Sequence, residues 1–437
     1  MSRFIGLDVH KRETQVCILS PTGEKLLALR IPTTREALTT FARSHLQATD
    51  SLALEATTNT WAIVQLLRPF VQKIVVSNPL QTRAIAAAKV KTDKIDASVL
   101  AHLLRLGYLP EVWQPDVATQ EARALCHRRA ALVADRTAIK NRLHALLAMR
   151  LIVPTEKDLF GKKGLAWLQK VALDPLGRTA LESDLRLLAA LQTEITALDL
   201  QIATRAQPND SVRLLMSLPG VDMAVALGLF SAWGPITRFA SAAQAASYLG
   251  LAPRTKQSGD HCYHGPITKQ GNSHVRWLII QAAQHLDKHP GPLGVFFRRL
   301  CHKKNRNVAV VAAARKLALI GWHMLQKNQP YRYALPAATA AKLARLRIRA
   351  GGERRKGGNP KGQKAVAKLG AGLRSRTVPG LGRVYEREGL PALSTPPAGE
   401  TRLLLTLKLQ ETMQNLHQEQ ILAKAKPAAQ PQPMEVA

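Results

Sequence analysis

GLDVHK, residues 6–11, closes a short apolar run near the beginning of the chain and places a carboxylate, that of Asp8, at the end of the run. Two more β-prone runs follow, at 14–19 and 25–31. This pattern predicts three consecutive strands. A carboxylate at the end of a buried strand is costly unless it is hydrogen-bonded or bound, which makes Asp8 a candidate functional residue.

The chain then alternates between helical and β-prone segments. The periodicity predicts helices at 34–46 and 61–70 and strands at 51–54 and 73–77. Glu55 directly follows the first of these strands, so a second strand end carries an acid. The alternation predicts an α/β domain, and strand-end carboxylates in such a sheet collect at its ligand-binding edge.

KTDKIDA, residues 91–97, opens another predicted helix and carries Asp93 and Asp96 on one helical face. With Asp8 and Glu55 they make a set of four carboxylates that suits Mg²⁺ or Mn²⁺, which prefer hard oxygen ligands. A pair of such ions stabilises both the attacking and the leaving oxygen of a phosphoryl transfer. Each acid also has an ordinary structural explanation, as a strand terminus, a solvated cap or a helix N-terminal residue.

The charge of the chain indicates a polyanionic partner. Lys and Arg number 62 against 30 Asp and Glu, which gives a formal net charge of +32 and a pI near 10.6. A surface this basic repels itself unless a polyanion such as nucleic acid neutralises it. Nucleic acid is therefore the expected partner, with a basic soluble protein that has no dedicated partner as the alternative.

The length of 437 residues, 46% of them hydrophobic, is enough for two or three domains with cores of their own. The four cysteines are widely spaced and form no CxxC pair, so neither a disulfide framework nor a zinc ribbon is predicted. No signal region opens the chain, and its longest apolar run, 308–320, is interrupted by Arg315 and Lys316. These features predict a cytoplasmic protein without a membrane segment.

Shifts in composition divide the chain into four parts. They are an α/β domain at 1–115, a helical arm at 116–208, a second, mostly helical domain at 209–335 and a basic low-complexity tail at 336–437. The long helices of the arm are predicted at 121–149 and 181–206. One interpretation is that they brace two domains or a dimer, and the other is that they contact nucleic acid; the two are compatible. Within the tail, residues 338–383 are predicted to be disordered until they bind RNA or DNA, with an inert soluble tail as the alternative, and 403–422 are predicted to form an isolated amphipathic helix.

The second domain opens with LLMSLPGV, residues 214–221, in which Pro219 and Gly220 turn the chain between two helices. A helix-hairpin-helix presents backbone N–H groups to a phosphate in this way, although Asp222 stands where that motif has a second glycine. An ordinary helical hairpin is the alternative. After a helix at 242–249, residues 250–272 are Gly-rich, basic and polar, which predicts a surface loop.

Several short motifs occur together in a specific order and spacing. They are GLDVHK, the LEAT of residues 54–57, KTDKIDA, the LPGV turn, and GLAPRTKQSG followed by GPITKQGNSHVR. In this combination, over residues 3–325, the chain resembles the DEDD transposases of the insertion sequence 110 family, which includes the Piv-type DNA invertases.

The resemblance implies a RuvC-like, RNase H-type fold for the N-terminal domain, with Asp8, Glu55, Asp93 and Asp96 as a catalytic tetrad that binds Mg²⁺ or Mn²⁺. It implies that Ser258 attacks the DNA backbone and holds it as a phosphoserine. It further implies a bridge RNA as guide, donor and target DNA as substrates, and a bacterial, nucleoid-associated location. Thr58 and Asp222 depart from the family pattern, but neither is a proposed catalytic residue.

A serine nucleophile is chemically reasonable apart from the resemblance, because a serine ester of the phosphate conserves the bond energy that strand exchange needs. Arg254, Lys256, Lys269 and Arg276 are the basic residues expected to contact nucleic acid, and Ser273 is the rival nucleophile, although Asn272 and Ser273 could simply cap a helix. Because recombination handles several strands at once, a homo-oligomer, a dimer or tetramer, is expected. Two other functions stay open: a RuvC-type metal-dependent nuclease, such as a junction resolvase, that uses water, and a non-enzymatic nucleic-acid-binding protein.

Overall fold

The computed structural model of the protein describes residues 2–85, 93–352 and 374–424. At residues 93, 94, 264, 374–377 and 420–424 it describes the backbone only. Contacts divide the chain into two compact units, residues 1–116 (unit 1) and 117–437 (unit 2).

A five-stranded sheet forms unit 1. Its spatial order is β3 (Lys25–Pro32), β2 (Glu13–Leu19), β1 (Phe4–Val9), β4 (Ser51–Glu55) and β5 (Lys73–Ser77). β2 is antiparallel to β1 and β3, β4 pairs in parallel with β1, and β5 pairs in parallel with β4. The strands predicted from the sequence are confirmed.

Helices cover the sheet of unit 1. They are α1 (Arg35–His45), α2 (Thr60–Leu67) with a following 3-10 turn (Arg68–Phe70), α3 (Pro79–Ile85) and α4 (Asp93–Leu106). Ile5 and Leu7 of β1 and Leu54 of β4 form one core with apolar residues of α1 and α2. Successive side chains of a strand point to opposite faces of the sheet, so α1 and α2 cover one face and α4 packs on the other.

Two long antiparallel helices open unit 2, α5 (Val117–Ala148) and α7 (Pro175–Ala206), with the shorter α6 (Lys162–Lys170) between them. Ion pairs fix their register: Arg129–Asp199 at 2.5 Å, Arg142–Asp184 at 2.6 Å and Arg150–Asp174 at 2.5 Å. Both predicted arm helices therefore exist, and both begin before their predicted first residue. Burial of their apolar residues, rather than exposed ion pairs, contributes most of the stability.

The central core of unit 2 is helical. Its elements are α8 (Asp210–Leu215), α9 (Met223–Trp233), α10 (Ala242–Tyr248), α11 (Ser273–Ala283), α12 (Pro292–Lys303) and α13 (Arg306–Lys327). One continuous hydrophobic cluster joins residues of these helices to Ala122 and Cys126 at the base of the arm and to residues beyond 335. Parts that composition separates therefore share one core.

The prediction of a disordered tail after residue 335 is wrong for the residues that the structure describes there. α14 (Pro336–Arg349) buries Leu343 and Leu346, and α15 (Leu381–Arg387) buries Tyr385, whose hydroxyl donates to the carbonyl of Tyr331 at 2.7 Å. Two more short helices follow, α16 (Ala398–Thr406) and α17 (Gln410–Gln414), and β8 (Arg374–Val378) pairs with β9 (Gln420–Lys424). The basic composition of the whole segment masks the apolar residues on either side of its centre. The basic centre itself, at 353–373, lies outside the described residues.

In the part of the chain that the structure describes, α13 alone is long and apolar enough to cross a membrane. Half of its most apolar window is buried inside unit 2, where Ala313, Ala314 and Leu317 belong to the core. Core helices commonly have this composition, so the helix is weak evidence for a membrane span.

Candidate functional site

Asp8 and Glu55 are neighbours at the carboxyl ends of two parallel strands. The register pairs Leu7 of β1 with Leu54 of β4, so the two acids are the next residues along their strands. Both are partly buried. Because parallel neighbours in register project from the same face of a sheet, the two carboxylates share one face.

Gly6 and Ala53 identify this face, since each stands two residues before one of the acids. α4 packs so closely over Gly6 that a Cβ there would lie 2.0 Å from the carbonyl oxygen of Ala97. Ala53 likewise packs against apolar residues of α4. Asp8 and Glu55 therefore lie on the face of the sheet that α4 covers.

The direction of α4 brings its first turn towards the same end of the sheet. Ala97 lies over the middle of β1, whereas Arg105 lies 3.2 Å from the Cβ position of Gly23, in the turn beyond the N-terminal end of β1. The helix therefore begins on the side of the carboxyl end of β1. Its first turn, with Asp93 and Asp96, is on the side of Asp8. Asp96 is partly buried, and the side chain of Asp93 lies outside the described part of the chain.

His10 is a further residue at this edge, and sequence reasoning missed it. Its Nε2 lies 3.0 Å from Oδ2 of Asp8, whose side chain is 16% exposed, against 53% for His10. The signal was present in GLDVHK, because residues two apart on an extended segment project to the same side. His10 orients the carboxylate, and a cation bound to Asp8 would compete with it for that oxygen.

The chemistry of this donor set fits a divalent cation. Asp8 and Glu55 follow paired residues of two adjacent strands at the edge of the sheet, Asp96 comes from the helix that covers it, and carboxylate oxygens are the ligands that Mg²⁺ and Mn²⁺ prefer. Among the side chains that the structure describes, no three His, Cys, Asp or Glu are gathered closely enough to hold a metal ion. Asp93, the fourth predicted ligand, is not among these side chains.

Ser258 lies at the end of β6 (Pro253–Ser258), which forms a two-stranded hairpin with β7 (His261–Ile267). All six residues of β6 are exposed. The two residues between the strands begin with Gly259 at φ +57°, a left-handed conformation that suits glycine in a tight hairpin turn. The surface position predicted for residues 250–272 is confirmed for β6, but residues 253–267 form a β-ribbon rather than a loop.

The pairing of the hairpin defines the neighbours of Ser258. Ser258 pairs with His261, and Lys256 pairs with Tyr263, whose ring is 69% exposed. Directly paired residues and residues two apart project from the same face of a ribbon. One face therefore carries a hydroxyl, an ammonium group, an imidazole and a phenol, all of which can contact a nucleic-acid strand.

The other predicted nucleic-acid contacts divide into exposed and structural residues. Arg254 is exposed on β6, and Lys269 is exposed in the segment after β7. Arg276 instead donates to the carbonyls of Leu249 at 3.2 Å and Lys269 at 3.1 Å, and burial lowers its pKa. Arg276 thus braces the segment beside the hairpin, and its contact with nucleic acid stays a prediction.

Asn272 caps α11 through a bond from the N–H of Val275 to its Oδ1, at 3.0 Å, while Ser273 is the first residue of the helix.

The helix-hairpin-helix-like turn is also present, between α8 and α9. Asp222 accepts the N–H groups of Ala224 and Val225 at 3.1 and 3.0 Å, so its carboxylate occupies the helix terminus that the motif would offer to a phosphate.

Paired carboxylates at the edge of a mixed α/β sheet, in a chain with a large excess of Lys and Arg, are typical of enzymes that transfer phosphoryl groups of nucleic acids. A family described as Transposase, of the DEDD type of IS110 elements, matches residues 5–150. The Transposase IS116/IS110/IS902 family matches residues 212–293. The chain belongs to the IS110 family of transposases and is a DNA transposase or recombinase.

Curated relatives agree with this membership. The transposase for insertion sequence element IS1111A of Coxiella burnetii is 28% identical over 55% of this chain and 68% of its own length. The transposase for insertion sequence element IS1328 of Yersinia enterocolitica is 24% identical over 73% of this chain and 95% of its own. The pilin gene-inverting protein of Moraxella bovis is 25% identical over 75% and 97%.

Proposed function

We propose that this chain cuts and rejoins the DNA of an insertion sequence through a covalent serine–phosphate intermediate, with Ser258 as the nucleophile. The observation that carries the proposal is the position of Ser258, an exposed hydroxyl at the end of a β-ribbon. Lys256 and the cross-strand His261 share its face of the ribbon. A hydroxyl enclosed in a core would not reach a backbone phosphate.

In the proposed step the Ser258 oxygen attacks phosphorus and forms a phosphoserine. The bond from phosphorus to one sugar oxygen breaks, that oxygen leaves as a hydroxyl, and it takes up the equivalent of the serine proton. Attack on the phosphoserine by a hydroxyl of another strand then restores a phosphodiester and the free serine. The number of phosphate ester bonds is the same before and after, so no external energy source is needed.

The acidic set of unit 1 is proposed to assist this step. The strand order β3-β2-β1-β4-β5, with the first three antiparallel and the last two added in parallel, supports an RNase H-like, RuvC-type fold. Asp8, Glu55, Asp93 and Asp96 would hold Mg²⁺ or Mn²⁺. Such an ion offsets charge on the phosphate oxygens and lowers the pKa of a bound hydroxyl. His10 keeps the Asp8 carboxylate oriented at the edge of the sheet.

The partners follow from charge and chemistry. The net charge of +32 supports binding of donor and target DNA together with a guide, which we propose to be a bridge RNA. Recombination joins several strands, so the active form is proposed to be a dimer or tetramer in the bacterial cytoplasm. Sequencing of RNA that co-purifies with the protein tests the guide, and light scattering of the DNA-bound protein tests the oligomer.

The nucleophile is tested by replacing Ser258 with Ala and denaturing the protein after reaction with end-labelled DNA. Wild type is expected to retain label on the protein, whereas Ser258→Ala loses both the adduct and strand exchange. Binding of DNA and the melting temperature should be preserved, because one hydroxyl is removed from an exposed site. Ser258→Cys is expected to keep a trace of cleavage, since a thiol also attacks phosphorus.

Ser273→Ala is the matched control and should remain active, because Asn272 supplies the helix cap. An adduct that survives in Ser258→Ala and disappears in Ser273→Ala would assign the other serine. A wild type that cleaves DNA but never retains label would instead support the water-using nuclease, which the paired acids alone could serve. The non-enzymatic alternative is not retained, because the chain belongs to a transposase family.

A further inference from the structure

A cavity of about 570 Å³ lies in unit 2, on the side of the helix-hairpin-helix-like turn. Its walls come from α5, the turn between α8 and α9, residues 285–289 and α14. The volume is within the range of pockets that enclose most of a small organic ligand. No residue that has been assigned a role in recombination lines it.

The lining of the cavity is strongly basic. Five Lys or Arg side chains contribute to it, namely Arg129, Lys288, Lys342, Arg345 and Arg349, together with His285 and His289. Asp222 is the one acid among the lining residues. A concave site with this excess of positive charge concentrates anions.

Some of these cations are already engaged inside the protein. Arg129 and Arg349 share Asp199, at 2.5 and 3.6 Å. Lys342 donates to the carbonyls of Leu218 at 2.6 Å and Val221 at 3.1 Å. Burial lowers the pKa of Lys342 to about 7, so an anion beside it would favour its charged form.

Two cations at the rim are available to a ligand. Lys288 is exposed and makes no hydrogen bond or ion pair with the described residues, and Arg345 is exposed with only a bond from its Nε to a carbonyl of its own helix. Two side chains that face one cavity from different elements can converge on one phosphate.

The remaining lining suits a flat organic ring. Leu335 and Ala338 supply accessible apolar surface next to the cations, whereas Met216 and Met223 also line the cavity but are buried in the core. Both helix-capping bonds of Asp222 end on Oδ1, which leaves Oδ2 as an acceptor for an N–H group. A phosphate, an apolar plane and an N–H donor are the parts of a nucleotide.

We infer that this cavity binds one nucleotide unit of a nucleic-acid strand, with its phosphate at Lys288 and Arg345 and its base against Leu335 and Ala338. The inference rests on the action of the chain on nucleic acid, but not on the choice of Ser258 as nucleophile. Because DNA and RNA share this chemistry, the structure assigns the nucleotide, and the test distinguishes the two strands.

A steric block without a charge change gives the sharpest test. Ala338 lines the cavity and is exposed, so Ala338→Trp fills the site without entering the core. Ala341→Trp is the matched control, because Ala341 is exposed on the same helix but does not line the cavity. Binding of labelled single-stranded DNA and RNA twelve-mers of one sequence, and of the DNA duplex, is measured by anisotropy.

Ala338→Trp is expected to weaken binding of one single strand about tenfold, the scale of losing one base contact, while Ala341→Trp stays within about twofold of wild type. The strand that loses affinity is the ligand of the cavity. Equal affinities for wild type and Ala338→Trp in all three arms would overturn the inference.

A charge test with the same readout complements the block. Lys288→Ala/Arg345→Ala should weaken the same strand and reduce the salt dependence of its binding. Lys303→Ala/Lys304→Ala removes the same charge from exposed residues away from the cavity and should leave that strand preference unchanged. An equal loss in both pairs would mean that the cavity contributes only general charge, which also overturns the inference.

Label transfer to the protein, measured in parallel, keeps this inference separate from the proposed function. Normal binding by Ala338→Trp with a normal adduct refutes the cavity alone. A specific loss of binding in Ala338→Trp, in a protein whose wild type forms no adduct, refutes the serine mechanism alone.

Discussion

The edge of the sheet in unit 1 and the β6–β7 hairpin in unit 2 hold their candidate residues in opposite ways. Asp8 and Glu55 follow Leu7 and Leu54, which are fully buried. Every residue of β6 is exposed, and Ile267 of β7 is only partly buried against the core of unit 2. A two-stranded hairpin with so little packing is marginally stable in water. The acids are therefore positioned by the core, whereas burial does not position Ser258. Charge stabilisation needs rigid groups, and a nucleophile that must reach a duplex needs an exposed one.

The largest effect on the rate of adduct formation is expected from variants of Asp8 and Glu55, the acids that the core positions. Asp8→Asn and Glu55→Gln keep the size of each side chain and remove a charge, so each should slow adduct formation roughly a thousandfold, a loss of about 4 kcal/mol in transition-state stabilisation. DNA affinity should change little, because phosphate contacts come from Lys and Arg. The rates are measured by single-turnover label transfer, with and without a chelator.

Glu13→Gln is the control for these variants, since Glu13 is exposed in the same sheet and pairs with Arg30 at 3.1 Å. Wild-type rates in Asp8→Asn, or full activity in chelator, would mean that the edge of the sheet has no catalytic role.

The second prediction concerns the support beneath the acids. Gly6→Ala would place a methyl group 2.0 Å from the carbonyl oxygen of Ala97, so α4 must move away from the sheet. The free energy of unfolding of unit 1 should fall by about 1–3 kcal/mol, and the carboxylates of α4 should shift relative to Asp8. Denaturant melts and the label-transfer rate should therefore both decline.

Gly382→Ala provides the comparison, because a Cβ there meets no atom within 4 Å. It should leave both measurements near wild type. If Gly6→Ala behaved in the same way, the close approach of α4 would not position the acids.

The edge of the sheet could be predicted from the sequence, and the hairpin could not, for physical reasons. Period-2 patterns of buried apolar residues identify strands, and strand ends locate Asp8 and Glu55. β6 is exposed throughout, and Ile267 of β7 is only partly buried against the core of unit 2, so residues 253–267 show no hydrophobic period and resemble a loop. Only the turn at Gly259 indicates it.

The predictions for the segment after residue 335 and for the turn before α9 were wrong for a different reason. Basic composition dominated the segment after 335, although Leu343, Leu346 and Tyr385 find partners in a core formed by residues far earlier in the chain. The helix-hairpin-helix pattern predicts a glycine at position 222, whereas the carboxylate of Asp222 caps α9. Such long-range packing and cap geometry depend on neighbours that a local pattern does not contain.

The third prediction concerns pH and the helical core that supports the hairpin. Burial and the neighbouring Arg298 and Lys342 lower the pKa of His289 to about 4, and its Nδ1 accepts the N–H of Gly291 at 3.1 Å. Between pH 6.5 and 4 the unfolded chain therefore binds more protons than the folded one, and the free energy of unfolding falls as the pH is lowered. At pH 5 the loss from His289 should be about 2 kcal/mol.

Denaturant melts at pH 7 and pH 5 measure this slope, which His289→Gln should reduce. His261→Gln is the matched control, because His261 is exposed on the hairpin and should leave the slope unchanged. An unaltered slope in His289→Gln would assign the acid sensitivity to other groups, among them His274, whose pKa burial and His127 also lower to about 4.

The smallest effect on global stability is expected at the hairpin itself. Gly259 has φ +57°, and a side chain in this conformation costs about 1–2 kcal/mol. Gly259→Ala should therefore lower the population of the folded turn and slow adduct formation roughly fivefold or more. The melting temperature should stay unchanged, because the residues of β6 are all exposed.

Gly265→Ala is the control in β7 of the same hairpin. A Cβ at Gly265 meets its nearest atoms at 3.6–3.8 Å, so this variant should remain active. Faster amide exchange confined to the hairpin of Gly259→Ala would show that the positioning of Ser258 is local. A drop in melting temperature as large as that of Gly6→Ala would instead mean that the hairpin belongs to the core, and the contrast between the two regions would fail.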